Sequence, residues 1–205
     1  MALAPEARGD LPLRVGIFGG TFDPPHLGHV SAAREVADAL ALDEVLWIPA
    51  RRSPLKPNEP LTDVAFRVEM AWAAVDGEPA FRVHDVEVGR PGPSFTVDTL
   101  REIRAEVHPD TELFLIIGMD QYRVLDAWRK PDEIARIATI VVMDRKGEGL
   151  SATAEHRGSR RIPVTRVDVS STEVRTRVGR GESVAGMVSP AVLAIMARER
   201  LYENA

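Results

Sequence analysis

The chain of 205 residues is 44% hydrophobic and 28% charged, a balance typical of one compact folded domain rather than of a disordered chain. Its formal net charge of −5 argues against a surface that binds long nucleic acid, but not against a local site for a small anion. Because it has no cysteine and no apolar run of membrane-spanning length, we expect no disulfide, no thiolate chemistry and no membrane segment, as in a cytoplasmic protein.

Hydrophobic periodicity predicts strands that alternate with helices along the chain. The predicted strands cover residues 13–18, 44–48, 81–88, 113–117, 139–143 and 163–169. The predicted helices begin near His26, at Thr62, at Ser94, near Ile134 and at Ser189. This order implies an α/β fold with a doubly wound (Rossmann-like) parallel sheet of five or six strands and a helical C-terminal portion. The continuous apolar run at 113–117 is expected to be a buried central strand.

Three segments lack this periodicity. Residues 49–60 contain four prolines and three basic side chains, so we expect a long basic loop there. Residues 144–161 are polar, which predicts a flexible surface segment, and residues 1–11 are predicted to be a disordered tail before a single domain over 12–205. Trp47 and Trp72 lie within periodic apolar patterns, and both are expected in the core.

The segment after the first predicted strand has the features of a phosphate site. Gly19 and Gly20 lie at the end of the sheet where ligands bind in such folds. Without side chains at these positions, backbone N–H groups can approach a phosphate closely. The helix that begins near His26 adds free N–H groups and the positive end of its dipole. The sequence therefore predicts a phosphate site built mainly from backbone.

Two histidines belong to the same segment. His26 and His29 are three residues apart, which places both imidazoles on one face of a helix start. Such fixed donors would stabilise the charge that spreads over phosphoryl oxygens during nucleotidyl transfer. On the residues alone, two alternatives stay open: ordinary packing of both histidines, or the start of a zinc site. No acidic residue stands at a spacing that would help such a zinc site.

A second hydroxyl-rich segment covers residues 169–175. Ser170 and Glu173 match the S-x-x-E pattern of a capping box, so part of this signal is simply a helix start. The hydroxyl groups nevertheless add donors at a helix N-terminus, where an anion is already favoured. Arg175 can reach back one turn, and its forked guanidinium suits phosphate oxygens. The segment predicts a second phosphate-binding element.

Both segments resemble one known superfamily. Residues 19–29, GGTFDPPHLGH, contain the H-x-G-H signature of adenylyltransferases, and the whole string resembles the nicotinate-nucleotide adenylyltransferase family. Residues 169–175 resemble the I-S-S-T-x-x-R motif of the same superfamily, with Val169 in place of isoleucine. The resemblance extends from about residue 13 to residue 202.

Three further stretches resemble the nicotinate-nucleotide branch. Residues 93–100, PSFTVDTL, are similar to its PSYTxDTL stretch, and on the residues alone they suit either a carboxylate site at a helix start or ordinary capping. Residues 117–128 resemble IGxDxxxxLxxW, in which Trp128 could stack on a pyridine ring or pack in the core. In the loop 48–57, Lys56 matches the family's lysine, but Leu55 stands where histidine is usual.

The resemblance implies site residues and a magnesium ion that accompanies ATP, with no protein ligand predicted for it. The implied catalytic residues are His26, His29 and Arg175. The implied ATP-binding residues are Gly19, Gly20, Thr21, Phe22, His29, Gly118, Asp120, Ser170, Ser171, Thr172 and Arg175. The implied substrate-binding residues are Lys56, Phe95, Thr96, Trp128 and Arg129. For Asp120, a ribose contact and a metal-phosphate contact both stay open.

The reaction implied by the resemblance joins the adenylyl group of ATP to nicotinic acid mononucleotide and releases pyrophosphate, as a step of NAD biosynthesis. Two alternatives are an adenylyltransferase for nicotinamide mononucleotide or phosphopantetheine, and a nucleotide-binding regulator without turnover. Residues 93–100 and 117–128 argue against phosphopantetheine, and the intact His26, His29 and Arg175 argue against a regulator. ATP and the mononucleotide are the expected partners, nucleic acid is not, and a homo-oligomer remains open.

Overall fold

The computed structural model describes residues 13–52, 62–145 and 158–203. Strands and helices alternate along these ranges, as the periodicity predicts. The strands are β1 (Arg14–Gly20), β2 (Glu44–Pro49), β3 (Phe81–Val83), β4 (Glu112–Gly118), β5 (Thr139–Arg145) and β6 (Arg160–Val164). The helices are α1 (Leu27–Leu40), α2 (Val64–Val75), α3 (Thr96–Glu106), α4 (Met119–Arg123), α5 (Pro131–Ile137), α6 (Ser171–Gly179) and α7 (Pro190–Arg198), with a 3₁₀ turn at Leu125–Ala127.

These six strands form one parallel sheet in the order β3-β2-β1-β4-β5-β6. β1 pairs with β2 on one side and with β4 on the other, so the direction of strand order reverses at β1. In open α/β sheets the crevice beyond the carboxyl ends of strands at such a switch point is where ligands bind. The predicted doubly wound parallel sheet is confirmed, and it places a site beyond the end of β1.

Helices cover both faces of the sheet, and successive residues of a strand serve opposite cores. In β1, Phe18 packs with residues of α1, α2 and α7, whereas Ile17 packs with residues of α3 and α5. The apolar run of β4 is buried on both faces in the same way, as expected of a central strand. β1 therefore lies between two layers of helices, with a core on each face.

The helical C-terminal portion consists of α6 and α7, as predicted. Ser189 caps α7 by accepting the Val192 N–H at 3.2 Å, and its hydroxyl donates to the Ala73 carbonyl at 3.2 Å. Arg198 forms an ion pair with Glu69 at 2.7 Å. These contacts tie α7 to α2 and hold the end of the chain close to the first half. The described helices include none with the length and apolarity that crossing a bilayer requires.

Two predicted strands have different limits in the structure. β3 ends at Val83 rather than at residue 88, because the chain turns away after the His84 N–H has bonded to the Trp47 carbonyl at 2.8 Å. β6 covers residues 160–164 rather than 163–169, because its pairing with β5 begins opposite Val141. The predicted surface segment 144–161 was therefore too wide at both ends, since β5 and β6 include its first and last residues.

The starts of two helices also differ from the prediction. Asp63, not Thr62, caps α2, and its carboxylate accepts the Ala65 N–H at 2.8 Å. α3 begins at Thr96 after Phe95, without a side-chain cap, rather than at Ser94. The expectation that Trp72 is in the core was wrong, because its side chain is 49% exposed. The buried stripe of α2 runs along its other face: Arg67, Met70, Ala71, Ala74 and Val75.

Candidate active site

A buried aromatic cluster shapes the loop after β1. Phe22 has a left-handed backbone with φ of 49°, and its ring stacks on Trp47 with ring centres 4.9 Å apart. A Cβ atom at Gly20 would lie 2.9 Å from the Phe22 ring, so glycine is needed for the ring to pack under the loop. A Cβ atom at Gly19 would instead meet open space. The ring of Phe22 therefore supports the loop from the core, while the outer side of the loop stays accessible.

The two histidines stand together at the start of α1. His26 is the N-cap residue, and its ring stacks on that of His29 with ring centres 3.6 Å apart. The His26 backbone N–H donates to Nδ1 of His29 at 3.2 Å. Because Nδ1 accepts this bond, the neutral His29 ring carries its proton on Nε2. A Cβ atom at Gly28 would lie 3.1 Å from Nδ1 of His26, so the glycine in H-x-G-H leaves room for the His26 ring.

Helix α6 faces the loop from the other end of the chain. Ser170 caps it by accepting the Glu173 N–H at 3.1 Å, which confirms the predicted helix start. The Ser171 hydroxyl donates to the Pro24 carbonyl at 2.8 Å, and Nη1 of Arg175 donates to the Asp23 carbonyl at 2.7 Å. These two hydrogen bonds, one from the Ser171 hydroxyl and one from the Arg175 guanidinium, join segments that are about 150 residues apart in sequence. The N-terminus of α6 is thereby held beside that of α1.

These elements surround a cavity of about 840 Å³, which we call the larger cavity. It brings together every residue that the sequence resemblance placed in catalysis or ATP binding. They are Gly19, Gly20, Thr21, Phe22, His26, His29, Gly118, Asp120, Ser170, Ser171, Thr172 and Arg175. The Asp120 side chain is 95% exposed and pairs with Arg123 at 2.8 Å, so it lies at the rim. Backbone N–H groups, imidazoles, hydroxyls and the guanidinium groups of Arg123 and Arg175 give this cavity donors that suit several phosphate groups.

A second cavity of about 240 Å³, the smaller cavity, adjoins the first. Its walls include the predicted substrate residues Phe95, Thr96, Trp128 and Arg129, together with aliphatic side chains of β1 and β4. The guanidinium of Arg129 lies 4.8 Å from the centre of the Phe95 ring and pairs with Asp98 at 3.3 Å. Nε1 of Trp128 is buried and has no hydrogen-bond partner within the part of the chain that the structure describes. The smaller cavity therefore suits a flat aromatic ring.

One end of the smaller cavity is the N-terminus of α3. Phe95 is its N-cap residue and makes no capping bond through its side chain. The first N–H groups of an α-helix lack partners within the helix, and the Phe95 side chain does not supply one. An anion placed against Phe95 and Thr96 would meet these donors and the positive end of the helix dipole. Of the predicted substrate residues, Lys56 lies outside the described residues.

A buried arginine, which the sequence analysis missed, organises the surrounding loops. Arg67 of α2 is 1% exposed. It donates to four backbone carbonyls, those of Thr62, Thr21, Ala50 and Arg51, at 2.9, 2.8, 2.6 and 3.1 Å respectively. Burial lowers the pKa of Arg67, and the charge of nearby Asp23 opposes this shift. A signal was present in the sequence, because Arg67 occupies a core position in the helical stripe of α2.

Two buried carboxyl groups were also missed. Asp23 lies beneath the larger cavity and accepts bonds from Tyr202 and Thr62. Glu87 lines the smaller cavity and accepts the Thr99 hydroxyl at 2.6 Å. Burial raises the pKa of Glu87, and hydrogen bonds from Thr99 and Ser94 partly offset this effect. Only Asp23 had a local signal, since it lies within the conspicuous segment 19–29.

Comparisons with known proteins agree with this geometry. A family model described as Cytidylyltransferase-like matches residues 17–177. Two relatives, each named "Probable nicotinate-nucleotide adenylyltransferase", come from Salinibacter ruber and Thermus thermophilus. Both are 42% identical to this chain over 193 and 195 residues, covering 93% of this chain and 98% and 100% of the relatives. The fold is shared by the structure of a Plasmodium falciparum nicotinic acid mononucleotide adenylyltransferase complexed with NaAD, with a TM-score of 0.79. The two chains are 16% identical, and the match covers 94% of this chain and 98% of the other.

Proposed function

The chain belongs to the cytidylyltransferase-like family, in its nicotinate-nucleotide adenylyltransferase branch, and from this membership we propose that it transfers the adenylyl group of ATP to nicotinic acid mononucleotide. The products are nicotinic acid adenine dinucleotide and pyrophosphate, and the reaction is a step of NAD biosynthesis. One observation carries the proposal: the two cavities meet at shared wall residues. These are Gly19, Gly20, Thr21 and Gln121.

The shared wall explains how two substrates would react. ATP would occupy the larger cavity and the mononucleotide the smaller one, with its 5′-phosphate at the junction beside Gly19 and Gly20. A phosphate oxygen of the mononucleotide attacks the α-phosphorus of ATP, and the bond from that phosphorus to the bridging oxygen breaks as pyrophosphate leaves. The attacking phosphate is already ionised at neutral pH, so no general base is needed. Catalysis then consists of positioning and of charge stabilisation.

His29 would supply a fixed donor to the reacting phosphate. The His26 N–H donates to Nδ1 of His29, and His29 lines the larger cavity, so Nε2–H of the neutral ring would be its donor to a phosphate there. A donor held in this way needs no reorganisation when charge develops on the phosphoryl oxygens. His26, stacked on His29, lies close enough to contribute a second donor to the same phosphate region.

The N-terminus of α6 would hold the leaving group. Its first turn carries Ser171 and Thr172 together with the positive end of the helix dipole. Nη1 of Arg175 is bonded to the Asp23 carbonyl, and Nη2 lies 3.4 Å from the Thr172 hydroxyl. A guanidinium has five N–H donors, so others can bind the β- and γ-phosphate oxygens. Pyrophosphate would thus be stabilised as it forms.

We also propose that Mg²⁺ enters with ATP and supplies charge neutralisation on the phosphate oxygens. Within residues 13–52, 62–145 and 158–203, no three His, Cys, Asp or Glu side chains gather as a metal site. A site with so few protein ligands fits a magnesium ion that keeps several waters and is bound mainly by the triphosphate. Asp120 is the exposed carboxylate at the rim that could approach it. The cytoplasmic location stays a prediction, as does the single domain over residues 12–205.

The smaller cavity would select the acid form of the mononucleotide. The nicotinate carboxylate would accept from the uncapped N-terminus of α3 at Phe95 and Thr96, and Trp128 would cover the ring. The amide form would direct its NH₂ group at donors. An unpaired buried polar group costs about 1–3 kcal/mol, so we expect kcat/KM for the acid to exceed that for the amide by at least about tenfold.

A pyrophosphate-release assay tests this function. The purified chain is given ATP and Mg²⁺ with nicotinic acid mononucleotide, nicotinamide mononucleotide or phosphopantetheine in parallel. Release that is fastest with the acid mononucleotide supports the proposal. Equal kcat/KM for the two mononucleotides would reject the carboxylate site but leave the ATP site standing. Faster release with phosphopantetheine, or no release with any acceptor, would reject the function itself.

A further inference from the structure

Asp23 is a buried carboxylate that connects three parts of the chain. It is 3% exposed, although it lies within the loop between β1 and α1. One carboxylate oxygen accepts the Thr62 N–H at 3.2 Å, and the other accepts the hydroxyl of Tyr202 at 2.6 Å. The buried Arg67 adds a favourable charge nearby. Asp23 is therefore fixed by groups from α2, from the segment before it and from the C-terminal end.

Tyr202 comes from the C-terminal end, 179 residues after Asp23. Its backbone is left-handed, with φ of 69°, just after α7. Its ring packs at the edge of the core that contains α1, α2 and α7, and Thr62 also hydrogen-bonds to its hydroxyl. Burial and the Asp23 carboxylate raise the pKa of Tyr202, so the hydroxyl stays protonated and can donate to Asp23 at neutral pH.

The backbone of the same loop holds the arginine of α6. The Asp23 carbonyl accepts from Nη1 of Arg175 at 2.7 Å, and the next carbonyl, that of Pro24, accepts the Ser171 hydroxyl at 2.8 Å. The side chain of Asp23 is thus bonded to Tyr202 while its backbone is bonded to Arg175. A rotation of this residue would move the acceptor on which the guanidinium rests.

We propose that Tyr202 is a positioning residue for ATP: by fixing the Asp23 carboxylate, it orients the Asp23 carbonyl and hence the guanidinium of Arg175. Tyr202 itself touches neither substrate. The inference rests on the proposed role of Arg175 in binding the triphosphate. Loss of the Tyr202 hydroxyl leaves α6 in place but lets Arg175 adopt orientations that do not match the β- and γ-phosphates.

The test replaces the hydroxyl alone. In Tyr202→Phe, we expect kcat/KM for ATP to fall about fivefold, within the range for one hydrogen bond, while KM for the mononucleotide changes by less than about twofold. The matched control is Tyr122→Phe, which removes the chain's other tyrosine hydroxyl, bonded to Ser159 at 2.9 Å and outside both cavity walls of the described structure. Thermal melting of both variants shows whether they are folded at the assay temperature.

A double-mutant cycle separates positioning from a general structural role. In an Arg175→Ala background, Tyr202→Phe should lower kcat/KM for ATP by less than about twofold, because its effect is transmitted through Arg175. An unchanged kcat/KM in Tyr202→Phe, an equal loss in the Arg175→Ala background, or a loss confined to the mononucleotide would overturn the inference. If Tyr202→Phe does not fold, Asp23→Asn tests the same link and should likewise lose its effect when Arg175 is absent. If Arg175→Ala itself leaves the KM of ATP unchanged, the proposed ATP site fails instead.

Discussion

The two cavities of this molecule share a wall but are built from different materials. The larger cavity is formed largely by backbone, hydroxyl groups, imidazoles and guanidinium groups from three segments far apart in sequence, residues 19–29, 118–123 and 164–175. The smaller cavity is formed mainly by aliphatic side chains of β1 and β4 and by the aromatic side chains of Phe95 and Trp128. Phosphate groups are alike in every nucleotide, whereas the pyridine ring distinguishes one substrate from others.

Under the proposed function, the two cavities have separate tasks. A change in the larger cavity should slow transfer to every acceptor, because it acts on ATP and the reacting phosphate. A change in the smaller cavity should alter the KM of the mononucleotide and leave ATP nearly unaffected. Substitutions in each cavity, compared with matched substitutions elsewhere, can contradict this division of labour.

The largest effect is expected for His29→Ala in the larger cavity. Loss of one fixed donor to a developing phosphoryl charge should lower kcat by about 10²-fold or more, with both mononucleotides. Steady-state kinetics measures this, and circular dichroism checks the fold. His108→Ala is the control, because that side chain is 73% exposed and outside both cavity walls as described. A folded His29→Ala enzyme with near-normal kcat would remove His29 from catalysis.

A smaller effect is expected for Arg67→Lys, which concerns the wall between the cavities. Lysine keeps the charge but has a single donor group, which cannot reproduce the four carbonyl bonds of the Arg67 guanidinium. Since one of these carbonyls is that of Thr21, in the shared wall, kcat should fall about tenfold with either mononucleotide, as for a small misplacement of reacting groups.

The matched control for Arg67 is Arg104→Lys. Arg104 also donates to two backbone carbonyls, those of Thr111 and His108, but it lines neither cavity of the described structure. We expect a lower melting temperature in both variants and a lower kcat only in Arg67→Lys. Equal kcat values in the two variants would show that Arg67 stabilises the fold without positioning the loop.

Trp128→Ala acts on the smaller cavity alone. Loss of the stacking surface should raise the KM of nicotinic acid mononucleotide by about tenfold, the size expected for one base stacked on an aromatic ring, while KM for ATP changes little. Trp72→Ala is the control, since Trp72 is half exposed on α2 and lines neither cavity of the described structure. If KM for ATP rose instead, the assignment of substrates to the two cavities would be reversed.

The sequence was most informative where function depends on neighbouring residues. The alternation of strand and helix patterns predicted the parallel sheet. The segments 19–29 and 169–175 predicted two helix N-termini, because their glycines, hydroxyls and histidines lie close together in sequence. Tyr202 was missed because its partner Asp23 lies 179 residues away. Arg67 was missed, despite its place in the buried stripe of α2, because three of its four partner carbonyls lie on loops that only the tertiary structure brings to this helix. Trp72 was misplaced because α2 is apolar on more than one face, so its periodicity left the buried side undecided.

The smallest effect concerns Glu87, the buried acid of the smaller cavity. Burial raises its pKa in the folded protein, so the folded state holds this proton more tightly than the unfolded chain does. The contribution of Glu87 to stability is therefore lost as pH rises from the ordinary glutamate pKa through the raised one. Glu87→Gln removes the charge and keeps an acceptor for the Thr99 hydroxyl. The melting temperature of this variant relative to wild type should rise between pH 4 and pH 8 by about a few degrees, the response of a domain of this size to about 1 kcal/mol.

Glu182→Gln, at an exposed carboxylate, should show no such trend. A difference that stays constant with pH would mean that the smaller cavity solvates Glu87 as well as water does, and its interior would then be less apolar than its walls indicate.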